Sequence, residues 1–164
     1  MVDRMSATFQ VQEKDFGLDG IIRRAAAMEG QSHALVGIFE GAVANTKGGP
    51  VSIAEYAAYN EFGTSKIPAR PWMRTGYDAS IAAIQAQMDG AVIAALEGVA
   101  VDPLAVGAVL MQAALKTSIT VGPWEPNAES TIEAKGSDRP LIDTGAMRNA
   151  VLWQVRRGAG PEES

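Results

Sequence analysis

The sequence predicts an α+β domain in which a small, mostly antiparallel sheet packs against several helices and carries long projecting loops. Three observations point there. Alternation marks strands near both ends, with Ala7, Phe9 and Val11 set against Thr8, Gln10 and Gln12, and Val151, Trp153 and Val155 against Leu152, Gln154 and Arg156. Helical spacing fills the middle, from Ile81 through Ile84, Met88 and Val92 to Ala95, and again from Leu104 through Ala108 and Met111 to Leu115. No repeat, linker or low-complexity tract divides the 164 residues, so one domain is expected over 1–164, with 1–5 and 157–164 frayed.

In chain order, the strand at 7–11 is followed by a short helix over Leu18–Met28, which Gly30 stops. "HALVGIFEG" is short, evenly apolar and bounded by glycine, which favours a buried strand from His33. Asn45, Gly48, Gly49 and Pro50 supply turn chemistry, so 45–52 reads as a pliant loop. Ser52 and Glu55 form the reciprocal pair of a capping box, opening a helix at Ile53 that Gly63 closes. Ile53, Tyr56, Tyr59 and Phe62 step by three and drift round that helix as a broad band suited to two neighbours.

Pro68 and Pro71 forbid regular structure in "GTSKIPARPWMR", which reads as an ordered, extended connector. A long helix then runs from about Gly76 to Gly98, and Asp102-Pro103 opens another, Asp as N-cap and Pro at the first helical position. The stretch 122–142 holds at most one helical turn, around "AESTIEAK"; a segment so long without periodicity is commonly a binding arm. The last strand starts at Val151, with Trp153 expected in the core.

Composition narrows the chemistry. With 47% apolar and 20% charged residues the chain is ordinary globular material. The absence of cysteine excludes disulfides and thiolate metal sites, and the single histidine, His33, at the edge of an apolar run, reads as a hydrogen-bonded surface residue. A net charge of −5 argues against broad contact with phosphates. The first residues lack the apolar core of a signal peptide, and no run reaches the roughly eighteen uninterrupted apolar residues of a membrane span, so a soluble, unexported protein is expected.

"PLIDTGAM" contains the Asp-Thr-Gly of aspartic proteases. A single copy would work only in a symmetric dimer that brings two carboxylates together. The long helices and the short chain left after Gly145 have no place in that fold, so Asp143 or Thr144 is expected to cap a short helix near Ala146. Glu129, Glu133, Asp138 and Asp143 fit no calcium-loop spacing, and neither metal nor cofactor is expected.

Two blocks carry a resemblance. "IAEYAAYNEFGTSKIPARPWMR" and "GPWEPNAESTIEAKGSDRPLIDTGAMRNAVLWQV" resemble the tailed-bacteriophage neck and tail-completion proteins, the group that includes the HK97 gp10-like and phage virion-morphogenesis families. The shared features are an aromatic "YAxxxEFGT" stretch, a "PARPW" connector and a late "PLxxTGxLRxS" element. Here Met147 stands where Leu is commoner, and Asn149-Ala150 where Ser is frequent.

The resemblance implies a non-enzymatic virion component, a homo-oligomeric ring with six the expected copy number, at the junction of head and tail. Its partners would be head-tail connector, tail terminator or tail tube proteins, with DNA passing through the lumen unbound and no membrane involved. A tail terminator ring capping the tail tube is the alternative; a dimeric hydrolase and a nucleic-acid module stand behind it. The candidate interface residues are Tyr59, Phe62, Arg70, Trp72, Trp124, Ile132, Arg139 and Asp143. Arg70 would pair with a carboxylate on a neighbour or on its own chain, Trp72 and Trp124 would fill a partner's pocket or tack loops to their own core, and 122–139 would be an arm that orders on assembly.

Overall fold

A computed structural model describes residues 17–46 and 49–158. The strand expected at 7–11 lies outside the described residues. The elements run α1 (Leu18–Met28), β1 (His33–Ile38), β2 (Val43–Thr46), β3 (Gly49–Ser52), α2 (Ile53–Phe62), α3 (Trp72–Leu96), α4 (Pro103–Val121), α5 (Glu129–Lys135), α6 (Ala146–Ala150) and β4 (Val151–Arg156). The fold is α+β, with both described sheets two-stranded and antiparallel.

β1 and β4 pair from His33 opposite Arg156 to Ile38 opposite Val151. α4 packs on both strands, and α3 lies along α4 as the other arm of a helical hairpin. Gln112 of α4 donates to the Val151 carbonyl at 2.7 Å, which fixes the helix on the sheet. At Gly76 the two helices meet so closely that an added Cβ would lie 3.0 Å from both Leu115 Cδ2 and Ser118 Cβ. α3 begins against α2, whose inner face carries Ile53 and Ala57. One core joins these residues to Trp72, Leu115, Ile119, Leu141, Met147 and Val151.

The starts expected for α2 and α4 are present: Ser52 Oγ accepts from the Glu55 amide at 3.4 Å and Asp102 Oδ1 from the Leu104 amide at 3.0 Å, with Pro103 at the first helical position. The other Asp102 oxygen pairs with the Arg157 guanidinium, tying the chain beyond β4 to the α3–α4 corner.

Three expectations are corrected. The expected loop at 45–52 is strand at its described residues: 45–46 end β2 and 49–52 form β3, with Val43 opposite Ser52 and Asn45 opposite Pro50. Proline is tolerated there because an edge strand can spare an N–H. Trp153 is 37% exposed, although Val151 two residues earlier is fully buried. A two-stranded sheet under one helix has cover for only part of a face, so a position on the same face as Val151 need not be buried. The connector expected over 63–74 ends at Pro71, since Trp72–Arg74 already belong to α3, and it is ordered but doubles back: Thr64 N–H donates to the Ile67 carbonyl, and Arg70 N–H returns to the Asn60 carbonyl of α2.

Gly63 makes that return possible at φ 74° and ψ 170°. A Cβ there would sit 2.9 Å from the Ala69 nitrogen and 3.1 Å from the Ile67 oxygen, both backbone atoms that cannot swing away. Gly63→Ala should therefore lose roughly 2–3 kcal/mol of stability. Urea unfolding should show a lower midpoint with an unchanged slope; an unchanged midpoint would mean the connector has another low-energy path.

α3 and α4 are each long and apolar enough, by length and composition, to cross a membrane. Core helices of soluble proteins meet the same test.

Candidate functional site

α2, the first two turns of α3 and Ile38 of β1 build a groove of about 430 Å³. Ala57 and Trp72 form its buried floor with Ile38 of β1, and Phe62, Met73 and Tyr77 form the walls. Apolar surface remains in water: Phe62 is 73% exposed, Tyr77 47% and Met73 37%. Tyr59, one helical turn from Phe62 on α2, is 43% exposed and donates its hydroxyl to the Glu55 carboxylate. That hydrogen bond, with the Glu55 charge, raises the Tyr59 pKa above the ordinary phenol value.

Glu61, which lines the groove, joins α2 to the start of α3. Pro71 occupies the N-cap of α3 and offers no side-chain acceptor. The buried Glu61 carboxylate, reaching from α2, supplies it instead: one oxygen accepts from Met73 N–H at 2.8 Å and the other from Arg74 N–H at 3.2 Å. A negative charge at the positive end of a long helix is favoured on both counts. Both oxygens serve the backbone, and the rest of the groove is lined mainly by apolar side chains.

Trp72 is 1% exposed and donates Nε1–H to the Ala57 carbonyl at 3.3 Å, while its own carbonyl accepts from Ser118 Oγ at 2.7 Å. It is core. Arg70 is 5% exposed, and its guanidinium holds the chain after α4: Nε donates to the Glu125 carbonyl at 2.9 Å, and Nη2 to the Pro126 carbonyl at 3.1 Å and Asn127 Oδ1 at 3.4 Å. The carboxylate pairing within its own chain expected as one option for Arg70 does not occur among the described residues; the guanidinium clamps two backbone carbonyls and the Asn127 side chain.

Trp124 likewise serves its own chain, donating Nε1–H to the Ser118 carbonyl at 3.0 Å and packing on the core. The stretch 122–128 is therefore docked on its own subunit, which corrects the reading of 122–139 as an arm awaiting a neighbour. α5 is half-attached. Ile132 is partly buried, and Arg139 is exposed, with its carbonyl accepting from Lys135 Nζ at 2.9 Å. Burial lowers the Lys135 pKa; Asp143 opposes this, and Arg70 pushes the same way as burial.

The Asp-Thr-Gly stretch is a structural corner. Leu141 and Met147 on either side of it are buried, Gly145 turns the chain at φ 78°, and Thr144 Oγ1 accepts from the Ala146 amide at 3.3 Å. The expected cap is corrected: Gly145 occupies the N-cap of α6 and has no side chain to offer, Asp143 is exposed and does not cap, and only Thr144, one residue before the N-cap, reaches a helix amide. Thr144→Ala should then lose up to about 1 kcal/mol. Asp143→Asn should change stability by less than about 0.5 kcal/mol. It should also lower the Lys135 pKa further by removing the one charge that raises it, which an NMR titration would read; an unmoved Lys135 would place the carboxylate elsewhere.

His33 is exposed, its Nδ1 3.1 Å from the Gln31 carbonyl oxygen. Among the described residues no group of three or more His, Asp or Glu is placed to hold a metal ion. No protein-family model matches the chain, and no curated protein or solved structure matches it.

Proposed function

We propose that the chain is a structural subunit of a tailed-phage virion, assembling with further copies as a ring at the head-tail junction around the DNA channel. One observation carries the reading. The two sequence blocks that resemble neck and tail-completion proteins are separated by most of the α3–α4 hairpin, yet they fold as one unit. Arg70 of the first block holds Glu125, Pro126 and Asn127 of the second, and Ile53, Ala57 and Trp72 share a core with Leu141, Met147 and Val151.

The exposed Phe62, Tyr77 and Met73 beside that unit suit a protein whose work is binding other subunits, since aromatic side chains and Met are enriched at interface centres. The test is negative-stain imaging with native mass measurement of the purified chain, alone and mixed with head-tail connector or tail tube proteins. Rings on the connector support the neck position, and rings on the tube end support the terminator alternative. A chain that stays monomeric with both partners, or that hydrolyses peptides until Asp143→Asn abolishes the activity, overturns the reading.

A further inference from the structure

α1 is an amphipathic helix turned inside out. At helical spacing Leu18, Ile21, Ile22 and Ala25 share one face. That face is in water: Leu18 is 60% exposed and Ile22 55%, and none of the helix residues is buried. What holds α1 to the body is polar, since Arg24 Nε donates to the Leu96 carbonyl at the far end of α3, 2.8 Å away.

The α2–α3 groove is the second large apolar surface left open. It sits at the opposite end of α3, and from Met73 to Leu96 the helix rises about 35 Å at 1.5 Å per residue. α1, fastened at Leu96, cannot fold back into the groove of its own chain. The shapes are complementary, a convex apolar stripe and a concave apolar cleft, which is the usual arrangement of a helix laid in a groove. The charges are complementary too. α1 carries Arg23 and Arg24 against one carboxylate, Asp19, whereas the groove side exposes Glu55 and Asp78 against one guanidinium, Arg74, the Glu61 carboxylate being taken up by the α3 amides. In a chain of net charge −5 such a local basic element is what lets two copies approach.

We propose that the apolar face of α1 docks in the α2–α3 groove of a second copy of this chain. Because the two surfaces differ and lie at opposite ends, the contact is head-to-tail, and repeating it gives a closed ring or an open filament according to the rotation per step. The contact stands on the geometry alone; its closure into a ring rests on the function proposed above.

The chain contains no cysteine, so introduced thiols report without background. Ile22→Cys and Met73→Cys both fall on exposed side chains, and circular dichroism should show each variant with native helix content. Mixed under mild oxidation, the two should form a heterodimeric disulfide on the order of tenfold faster than Ile22→Cys mixed with Glu133→Cys on α5, because docking raises the effective concentration of the paired thiols. A chain carrying both substitutions should give a ladder of oligomers. Equal rates for the test and control mixtures overturn the contact. Imaging of the ladder then separates the two claims. Closed rings support both, and open filaments keep the contact but defeat the ring reading. Rings formed with virion partners but without Ile22–Met73 cross-links defeat the contact and leave the ring reading standing.

Discussion

Trp72→Ala should lose about 3–5 kcal/mol of folding stability, the range for removing a fully buried large side chain. The indole sits where α2, the start of α3 and α4 converge, and it is 1% exposed. Its removal takes away the packing of that joint and the hydrogen bond to the Ala57 carbonyl, and the flanking helices are themselves pinned by Glu61 and Ser118, so the hole has little room to collapse. For a domain whose whole stability is of the order of 5–15 kcal/mol this is a severe loss. Thermal unfolding should fall on the order of 10 °C. A loss below about 1 kcal/mol would show that the joint is held elsewhere.

Arg70→Ala should be the next most damaging change, at roughly 2–4 kcal/mol, since hydrogen bonds to a charged donor contribute more than neutral ones and their truncation strands the acceptors. Three acceptors in 125–127 lose their donor together. Arg70→Lys should rescue little of it, because an ammonium has no planar fork with which to span two successive carbonyls. Amide exchange should speed up across 124–128 while α4 stays protected. If Arg70→Ala leaves exchange there unchanged, Trp124 alone holds the segment.

Local signals were readable from the sequence, and distant ones were not. Ser52 with Glu55 and Asp102 with Pro103 mark helix starts within four residues, so α2 and α4 open where expected. Glu61 acts on the amides of residues 73 and 74, and Arg70 on carbonyls more than fifty residues later; no short window contains both partners. One signal was available, since a helix opening after Pro71 has no acceptor of its own and must borrow one. The hairpin at 43–52 was hidden because glycine and proline serve an edge strand as readily as a loop. Trp153 was misplaced because alternation identifies a face of a strand but not how much of that face is covered. Of the band Ile53, Tyr56, Tyr59 and Phe62, read as suited to two neighbours, Ile53 is buried while Tyr59 and Phe62 stay exposed, and Trp72 and Trp124 take the own-core alternative because each indole finds a carbonyl of its own chain.

The largest fully buried side chains, Trp72, Leu115, Ile119 and Val151, all sit at one end of the α3–α4 pair. Toward the other end the buried residues are Ile84, Ala91 and Ala95 facing Gly107 and Ala108. Small side chains bury little area, so opening of the distal turns exposes less apolar surface than opening of the proximal ones. The pair should therefore fray from its distal end, with protection against amide exchange falling steadily along α3 from Gly76 toward Leu96. Such a gradient makes the remote tip a spring: thermal opening there leaves the joint at Trp72 intact, and any body seated against α1 would stiffen the tip without moving the core.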